Sequence, residues 1–128
     1  MDANKTGKKT SGSRSLWVAA QAQFGKKLPT AMIRERCPAA VFHTDATQAV
    51  GKISIDLQGE WQDVDLLSFS AHKFHSPKGI GGLYVRPGFE LEPMLMGGGQ
   101  ERGLRAGTTN TPAVAGLAVA AIEVQKSE

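Results

Sequence analysis

Short apolar runs separated by polar turns dominate the middle of the chain. Runs at residues 39–42 (AAVF), 64–69 (VDLLSF) and 81–85 (GGLYV) are bounded by polar residues, glycine or proline. Such runs are typical of buried β-strands. Polar side chains directly follow the first two runs, and open α/β sheets bind their ligands at the ends of strands. The pattern therefore predicts an α/β fold with a site at the strand ends.

Three helices are predicted around these strands. The first covers residues 15–24, and the second covers residues 31–36 and ends before Pro38. The third starts at Thr111, with Thr111 as its N-cap and Pro112 at the first helical position. Apolar residues lie on all sides of this third helix, so we expect it to be largely buried.

Charge divides the chain into two segments. The net charge is +3, and six basic residues against one acidic residue precede residue 28. The first residues, 1–14, are therefore expected to be disordered. Cys37 is the only cysteine, which favours a reducing compartment such as the cytoplasm, with an organelle as the second possibility. Neither a membrane span nor a nucleic-acid site is predicted.

Lys73 lies where a lysine with imine chemistry is plausible. Such a lysine must lose its proton near neutral pH, which requires burial or a neighbouring cation. Lys73 follows the second apolar run, stands next to His72 and precedes a Pro-Lys-Gly turn at residues 77–79. This setting predicts a Schiff-base lysine, and the alternative is an ordinary solvated surface charge.

Asp45 follows the first apolar run. A carboxylate at that place can pair with a protonated ring nitrogen of a cofactor, and Gln48 is near enough to contact the same ligand. The alternative is that Asp45 caps a short helix that begins at Ala46. Neither His43 nor His75 has partners at a spacing that indicates a metal site.

Ser70 and His72 supply the donors that a phosphate group requires. A hydroxyl and an imidazole are both suitable donors to a phosphate dianion. The two residues flank Ala71, so their side chains would share one side of an extended stretch. Lys73 would then point away from the phosphate, toward the ring of a cofactor.

Three segments, in order, resemble the cysteine desulfurases of the class V aminotransferase family. Residues 42–52 (FHTDATQAVGK) are similar to the aspartate-bearing strand of these enzymes, and residues 67–73 (LSFSAHK) with 77–81 (PKGIG) to their cofactor-lysine loop. Residues 97–108 (GGGQERGLRAGT) are similar to their glycine-rich dimer loop.

The resemblance runs from about Ile33 to the C-terminus. It implies that residues 33–128 are part of the large domain of a fold type I enzyme, with a few strands of the central sheet and flanking helices. Residues 1–32 are then expected to be a basic segment that is disordered or unrelated to this domain.

The resemblance also implies pyridoxal 5'-phosphate as the cofactor. Lys73 would carry it as a Schiff base and later move the substrate proton, with His72 as the second catalytic residue. Ser70 and His72 would contact its phosphate.

Asp45 would pair with the cofactor's pyridinium nitrogen and Gln48 would contact its phenolic oxygen. Thr108 would reach the phosphate in the partner subunit of a homodimer.

The activity implied is the removal of sulfur from L-cysteine, which gives alanine and a persulfide for iron-sulfur cluster or thio-cofactor assembly. A sulfur acceptor protein is then a possible partner. No cysteine follows Lys73, although these enzymes need a nucleophilic cysteine there. We therefore expect a fragment whose activity alone is an open question. His75 and Ser76 also replace the aromatic-glycine pair that this family has before Pro77.

Two alternatives remain beside this assignment. A selenocysteine lyase would share all of these motifs. A non-catalytic partner would instead dock on a full-length desulfurase through residues 97–108 and the C-terminal helix.

Overall fold

A mixed four-stranded sheet organises the described part of the chain, which comprises residues 16–19 and 30–126 of a computed structural model. The strands are β1 (Leu16–Ala19), β2 (Val41–Asp45), β3 (Leu66–Ser70) and β4 (Gly81–Val85), in that order across the sheet. The first three are parallel, and β4 runs antiparallel to β3. The predicted α/β class is confirmed.

Within residues 16–19 and 30–126, two α-helices and two short 3₁₀ helices accompany the sheet. The α-helices are α1 (Thr30–Arg36) and α2 (Thr111–Gln125). The first 3₁₀ helix (Ala71–Phe74) follows β3 directly, and the second (Gln100–Gly103) lies before α2. The predictions for β3, β4 and α1 agree with the structure to within a few residues, and β2 begins two residues later than predicted.

The helix predicted at residues 15–24 is wrong where the structure describes it. Residues Leu16–Ala19 are β1 instead, and they pair with residues 41–44 of β2. The sequence Leu-Trp-Val suits a strand, and pairing with β2 gives its backbone groups partners that a short isolated helix lacks. The remainder of the predicted helix, and the expected disorder of residues 1–15, lie outside the described residues.

The N-terminal segment 1–32 therefore contributes a strand to the sheet formed by the later residues. Helix α1 also runs across the expected division between residues 32 and 33.

One face of the sheet carries the main core. Phe42 of β2 and Leu67 of β3 are buried there, together with Trp61 and Val64 of the segment between the two strands. Burial of a large apolar side chain contributes about 1.5–3 kcal/mol. The connection from β2 to β3 is therefore a structural layer that covers this face.

A buried carboxylate joins α1, β2 and β4 at the start of β3. Asp65 Oδ2 lies 2.6 Å from an Arg34 Nη2 and accepts the Phe42 backbone N–H at 2.8 Å. Its Oδ1 lies 3.3 Å from Arg86 Nε. Two arginines and one backbone donor therefore compensate the burial of this charge.

Helix α2 differs from prediction at its start. Its N-cap is Asn110, whose Oδ1 accepts the Ala113 N–H at 3.2 Å, so Thr111 is the first helical residue and not the cap. Asparagine serves as an N-cap at least as well as threonine, so the helix begins one residue earlier. Pro112 is therefore the second helical residue and not the first.

The prediction that α2 is largely buried is also wrong. Ala120, Leu117 and Val124 pack against the cluster of Ala71 and Phe74 in the first 3₁₀ helix. Val119 is 62% exposed and Ile122 is 53% exposed on other sides of the helix. Only one side of α2 meets the rest of the described chain, which leaves the other apolar positions uncovered. Neither described α-helix is long and apolar enough to cross a membrane.

Candidate functional site

The C-terminal ends of β2 and β3 bring polar side chains together. The two strands are parallel neighbours, and Asp45 is in register with Ser68. Strand side chains alternate between faces, so His43 and Asp45 lie on the same face as Ser68 and Ser70. This face, here called the polar sheet face, lies opposite the core face. It is defined by His43, Asp45, Ser68 and Ser70.

Asp45 lies in a setting that favours its charged form. Its Oδ1 accepts the backbone N–H of Thr47 at 2.9 Å. The pKa of Asp45 is lowered from its ordinary 3.8, first by the side-chain hydrogen bond of Thr47, then by its backbone hydrogen bond, and also by nearby His43. Partial burial opposes these effects but does not reverse them. The carboxylate is therefore ionised at neutral pH.

The alternative interpretation of Asp45 is correct only in part. The hydrogen bond to Thr47 is the kind of local contact that starts a turn. Residues 47–52 form turns and not a helix, although Val50 N–H donates to Ala46 O at 3.0 Å. One oxygen of Asp45 holds this turn, and the contact also fixes the direction of the carboxylate.

His43 and Ser68 make a contact that the sequence analysis missed. The Nε2 of His43 lies 3.0 Å from Oγ of Ser68, across the β2–β3 pair. His43 precedes Asp45 by two residues, and this spacing alone places both on one face of a strand. That periodicity could have indicated His43 as a neighbour of the site, whereas the pairing with Ser68 depends on the strand register.

The first 3₁₀ helix presents His72 and Lys73 at the end of β3. Ala71 and Phe74 of this helix are buried, and Ala71 N–H donates to Ile80 O at 3.0 Å. His72 and Lys73 are both exposed. The site lysine is thus held on a well-anchored turn, directly beyond Ser70.

Two expectations for this turn are corrected by the structure. Ser70 and His72 were expected to share one side of an extended stretch, but the chain enters the 3₁₀ helix at Ala71. Strand alternation therefore ends at Ser70. A Schiff-base lysine was expected to be buried or to have a cation beside it. Because Lys73 is exposed, the neighbouring His72 is the feature that remains of these two.

The residues that depart from the family pattern shape the end of this turn. His75 closes the 3₁₀ helix with a φ of 71°, in the left-handed region that favours glycine. Ser76 is buried, and its hydroxyl has no hydrogen-bond partner among the described residues. The next residue, Pro77, packs so closely on α2 that a Cβ at Gly116 would lie 2.6 Å from Pro77 Cδ. The loop thus closes through a strained residue and a tight contact with α2.

Gln48 and Thr108 are not joined to the polar sheet face by a described hydrogen bond. The Oε1 of Gln48 accepts from Lys52 Nζ at 3.0 Å, within the turn that follows Asp45. Thr108 is exposed in the segment between the second 3₁₀ helix and α2. A residue that reaches a partner subunit must be accessible, and Thr108 meets that requirement. Both roles stay predictions.

The glycine-rich loop is largely exposed. The Gln100 side chain accepts the Gly107 N–H at 3.1 Å, and Arg105 Nη1 donates to Ala106 O at 3.2 Å. Both contacts lie within the loop and hold its backbone. Glu101 and Arg102 have φ values of 48° and 59°, which side-chain-bearing residues adopt rarely.

Comparison with known proteins shows one family. A sequence model of the Aminotransferase class-V family matches residues 17–128. The match begins inside the segment 1–32, close to the start of β1. A cysteine desulfurase of Gluconacetobacter diazotrophicus is 60% identical over 82 residues, which are 64% of this chain and 20% of that protein. A cysteine desulfurase of Rhodobacter capsulatus is 47% identical over 102 residues, or 80% of this chain and 26% of that protein.

Solved structures show the same likeness. A NifS-like protein superposes with a TM-score of 0.69 at 44% identity, covering 76% of this chain and 26% of that chain. A structure described as SspA in complex with cysteine superposes with a TM-score of 0.65 at 46% identity, covering 73% of this chain and 26% of that chain. The resemblance to cysteine desulfurases and to fold type I is confirmed. The chain spans about a fifth to a quarter of the length of the curated relatives described above.

Proposed function

Because the chain belongs to the aminotransferase class-V family, we propose that it forms part of a pyridoxal-phosphate-dependent cysteine desulfurase. The observation that carries this proposal is the placement of two groups at adjacent strand ends. An ionised carboxylate, Asp45, ends β2, and a lysine, Lys73, lies on the 3₁₀ helix that directly follows β3. The two strands are parallel neighbours, so both groups lie at the C-terminal ends of the strands, at the same end of the sheet's hydrogen-bonded ladder.

The chemistry of the side chains at this edge fits pyridoxal 5'-phosphate. The cofactor needs an amine, an anion for its ring nitrogen and donors for its phosphate. Lys73 supplies the amine and Asp45 the anion. Ser70 and His72 supply a hydroxyl and an imidazole next to the lysine. The residues present therefore fit the group.

Each residue has a distinct task in the proposed mechanism. Bound pyridoxal phosphate supplies an electron sink for negative charge that develops at the substrate carbon. The ionised Asp45 keeps a proton on the ring nitrogen, since a carboxylate stabilises the charged pyridinium. Lys73 holds the cofactor and moves a proton at the substrate carbon. Ser70 and His72 would hold the phosphate end of the cofactor beside Lys73.

The proposed substrate is L-cysteine, which gives alanine after its sulfur is removed. The names of the relatives and the cysteine complex of SspA support this choice. Cys37 lies between α1 and β2, away from the strand ends that carry the polar residues. We therefore assign no sulfur-transfer role to Cys37. A homodimer with Thr108 at the shared site, and a sulfur acceptor protein, belong to the same proposal.

An absorption measurement tests the role of Lys73. When pyridoxal phosphate condenses with a protein amine, it gains an absorption band at longer wavelength than that of the free aldehyde. We expect this band for the unmodified chain and its loss in Lys73→Ala. The matched control is Lys78→Ala, because Lys78 is also exposed and lies in the same loop. A band that persists in Lys73→Ala and disappears in Lys78→Ala would show that Lys78, and not Lys73, binds the cofactor.

A further inference from the structure

A hydrogen bond crosses the β2–β3 pair beside Asp45. His43 Nε2 and Ser68 Oγ are 3.0 Å apart, and both side chains are partly buried. Ser68 is the register partner of Asp45, and His43 precedes Asp45 on the same face. The contact therefore runs diagonally between the strands. One of its residues lies beside Asp45 on β2, and the other lies opposite Asp45 on β3.

This contact restrains the edge of the sheet where the proposed ligand groups meet. Ser70 follows Ser68 by two residues on the same face, and the 3₁₀ helix with Lys73 begins immediately afterwards. A side-chain hydrogen bond between the strands resists a shift of β2 relative to β3. Such a shift would alter the separation of Asp45 from both Ser70 and Lys73.

We propose that His43 and Ser68 are positioning residues that hold the Asp45 carboxylate at the place where it meets the ring nitrogen of the cofactor. This inference rests on the proposed function and adds two residues to its site. His43 touches neither cofactor nor substrate in this scheme. It acts through Asp45, and Ser68 acts through His43.

The electrostatic surroundings of Asp45 agree with this role. Among the described residues, His43 is the one charged or titratable group that acts on the carboxylate, and it helps to lower the pKa of Asp45. Thr47 contributes hydrogen bonds from the following turn, and β3 presents the uncharged Ser68. Loss of the imidazole therefore removes an interaction that lowers the pKa of Asp45, as well as the contact with Ser68.

Paired substitutions separate positioning from simple packing. His43→Gln retains a terminal N–H that can donate to Ser68, whereas His43→Leu retains bulk without a donor. Ser68→Thr retains the hydroxyl, whereas Ser68→Ala deletes it. The control is His75→Asn, which removes an exposed histidine. Asparagine readily adopts the left-handed backbone conformation found at this position.

The first measurement uses the 128-residue chain without cofactor. Carbon-13 NMR follows the titration of the Asp45 carboxyl, and circular dichroism verifies that each variant keeps its secondary structure. We expect a higher titration midpoint for Asp45 in His43→Leu and a shifted carboxyl resonance in Ser68→Ala. Ser68→Thr and His75→Asn should match the unmodified chain.

The second measurement is the dissociation constant for pyridoxal phosphate, obtained from the absorption band. We expect it to rise about fivefold to tenfold in His43→Leu and Ser68→Ala, as for the loss of one hydrogen bond that orients a binding group. His43→Gln and Ser68→Thr should recover most of the affinity. A purely structural contact would lower the melting temperature without this pattern of rescue.

The outcomes distinguish the two proposals. An unchanged Asp45 signal in folded His43→Leu and Ser68→Ala overturns the positioning role, whether or not the cofactor binds. Absence of the band in the unmodified chain overturns the proposed function, while the Asp45 signal still decides the positioning role. If His43→Leu loses its secondary structure, Ser68→Ala gives the decision, because it deletes a single oxygen atom.

Discussion

At the scale of single residues, the site depends on how Asp45 is held. Its charge is stabilised by Thr47 of the following turn more than by any distant group, and His43 adds to the effect. Local sequence thus sets most of the electrostatics of this carboxylate. The turn that follows β2 closes the strand and keeps Asp45 ionised, as the proposed pairing with a cationic ring requires.

The pKa of Asp45 should therefore respond to a change at Thr47. In Thr47→Val the side-chain hydrogen bond is lost and the backbone bond stays, so we expect the pKa of Asp45 to rise toward its ordinary 3.8. Carbon-13 NMR titration measures this change. The matched control is Thr111→Val, at an exposed position in α2. A midpoint unchanged by Thr47→Val would contradict the assigned cause.

The lowered pKa also has a consequence for stability. A carboxyl whose pKa falls on folding stabilises the folded state above its unfolded pKa, and this contribution disappears as the pH falls through the folded pKa. For Asp45 the loss thus occurs below about pH 4. Thr47→Val should reduce this contribution at neutral pH, and below the folded pKa the two proteins should differ less.

At the scale of elements, the sequence predicted the strands better than the helices. The runs before Asp45 and before Ser70 are short, apolar and bounded by polar residues, so their assignment needed no knowledge of distant partners. Residues 16–19 were assigned to a helix because their partner, β2, is more than twenty residues away in sequence. Local pattern alone cannot show such pairing.

The site was predicted to a similar extent. Asp45, Ser70, His72 and Lys73 were named from local motifs, and the structure places all four at the adjacent ends of β2 and β3. The contact between His43 and Ser68 was missed because it requires the β2–β3 register. The exposure of α2 was missed as well. Apolar residues on all sides of a helix predict that it is buried, but they do not show which element covers each side.

The buried Asp65 is the main electrostatic link between the elements. We expect Asp65→Asn to lower the free energy of unfolding by about 3 kcal/mol, because it leaves Arg34 and Arg86 without their shared anion. Urea denaturation followed by circular dichroism measures the change. Asp56→Asn is the control, since Asp56 is exposed. Equal loss in the two variants would show that the buried ion pairs do not stabilise the sheet.

At the scale of the whole molecule, apolar surface is left uncovered. Met94 is 93% exposed and Met96 is 81% exposed, ahead of the glycine-rich loop. Val119 and Ile122 of α2 are also exposed. Met94 and Met96 are separated by a single residue, and an exposed apolar patch is typical of an interaction site. These side chains are therefore candidates for contact with another protein chain.

We therefore expect the chain to self-associate through this surface. The double substitution Met94→Ser with Met96→Ser should reduce the association seen by sedimentation velocity at increasing concentration. Met32→Ser is the control, because Met32 is exposed on α1, a different element. A strictly monomeric unmodified chain at all concentrations would contradict the expectation.

The central claim is that the amine of Lys73, at the same sheet edge as the Asp45 carboxylate, binds the cofactor. The most direct measurement is to incubate the chain with pyridoxal phosphate, reduce the product with borohydride and identify the modified lysine by peptide mass spectrometry. The account predicts modification at Lys73, strongly reduced in Asp45→Ala because the ring loses its anionic partner. Modification at Lys78, or spread evenly over the exposed lysines, would contradict it.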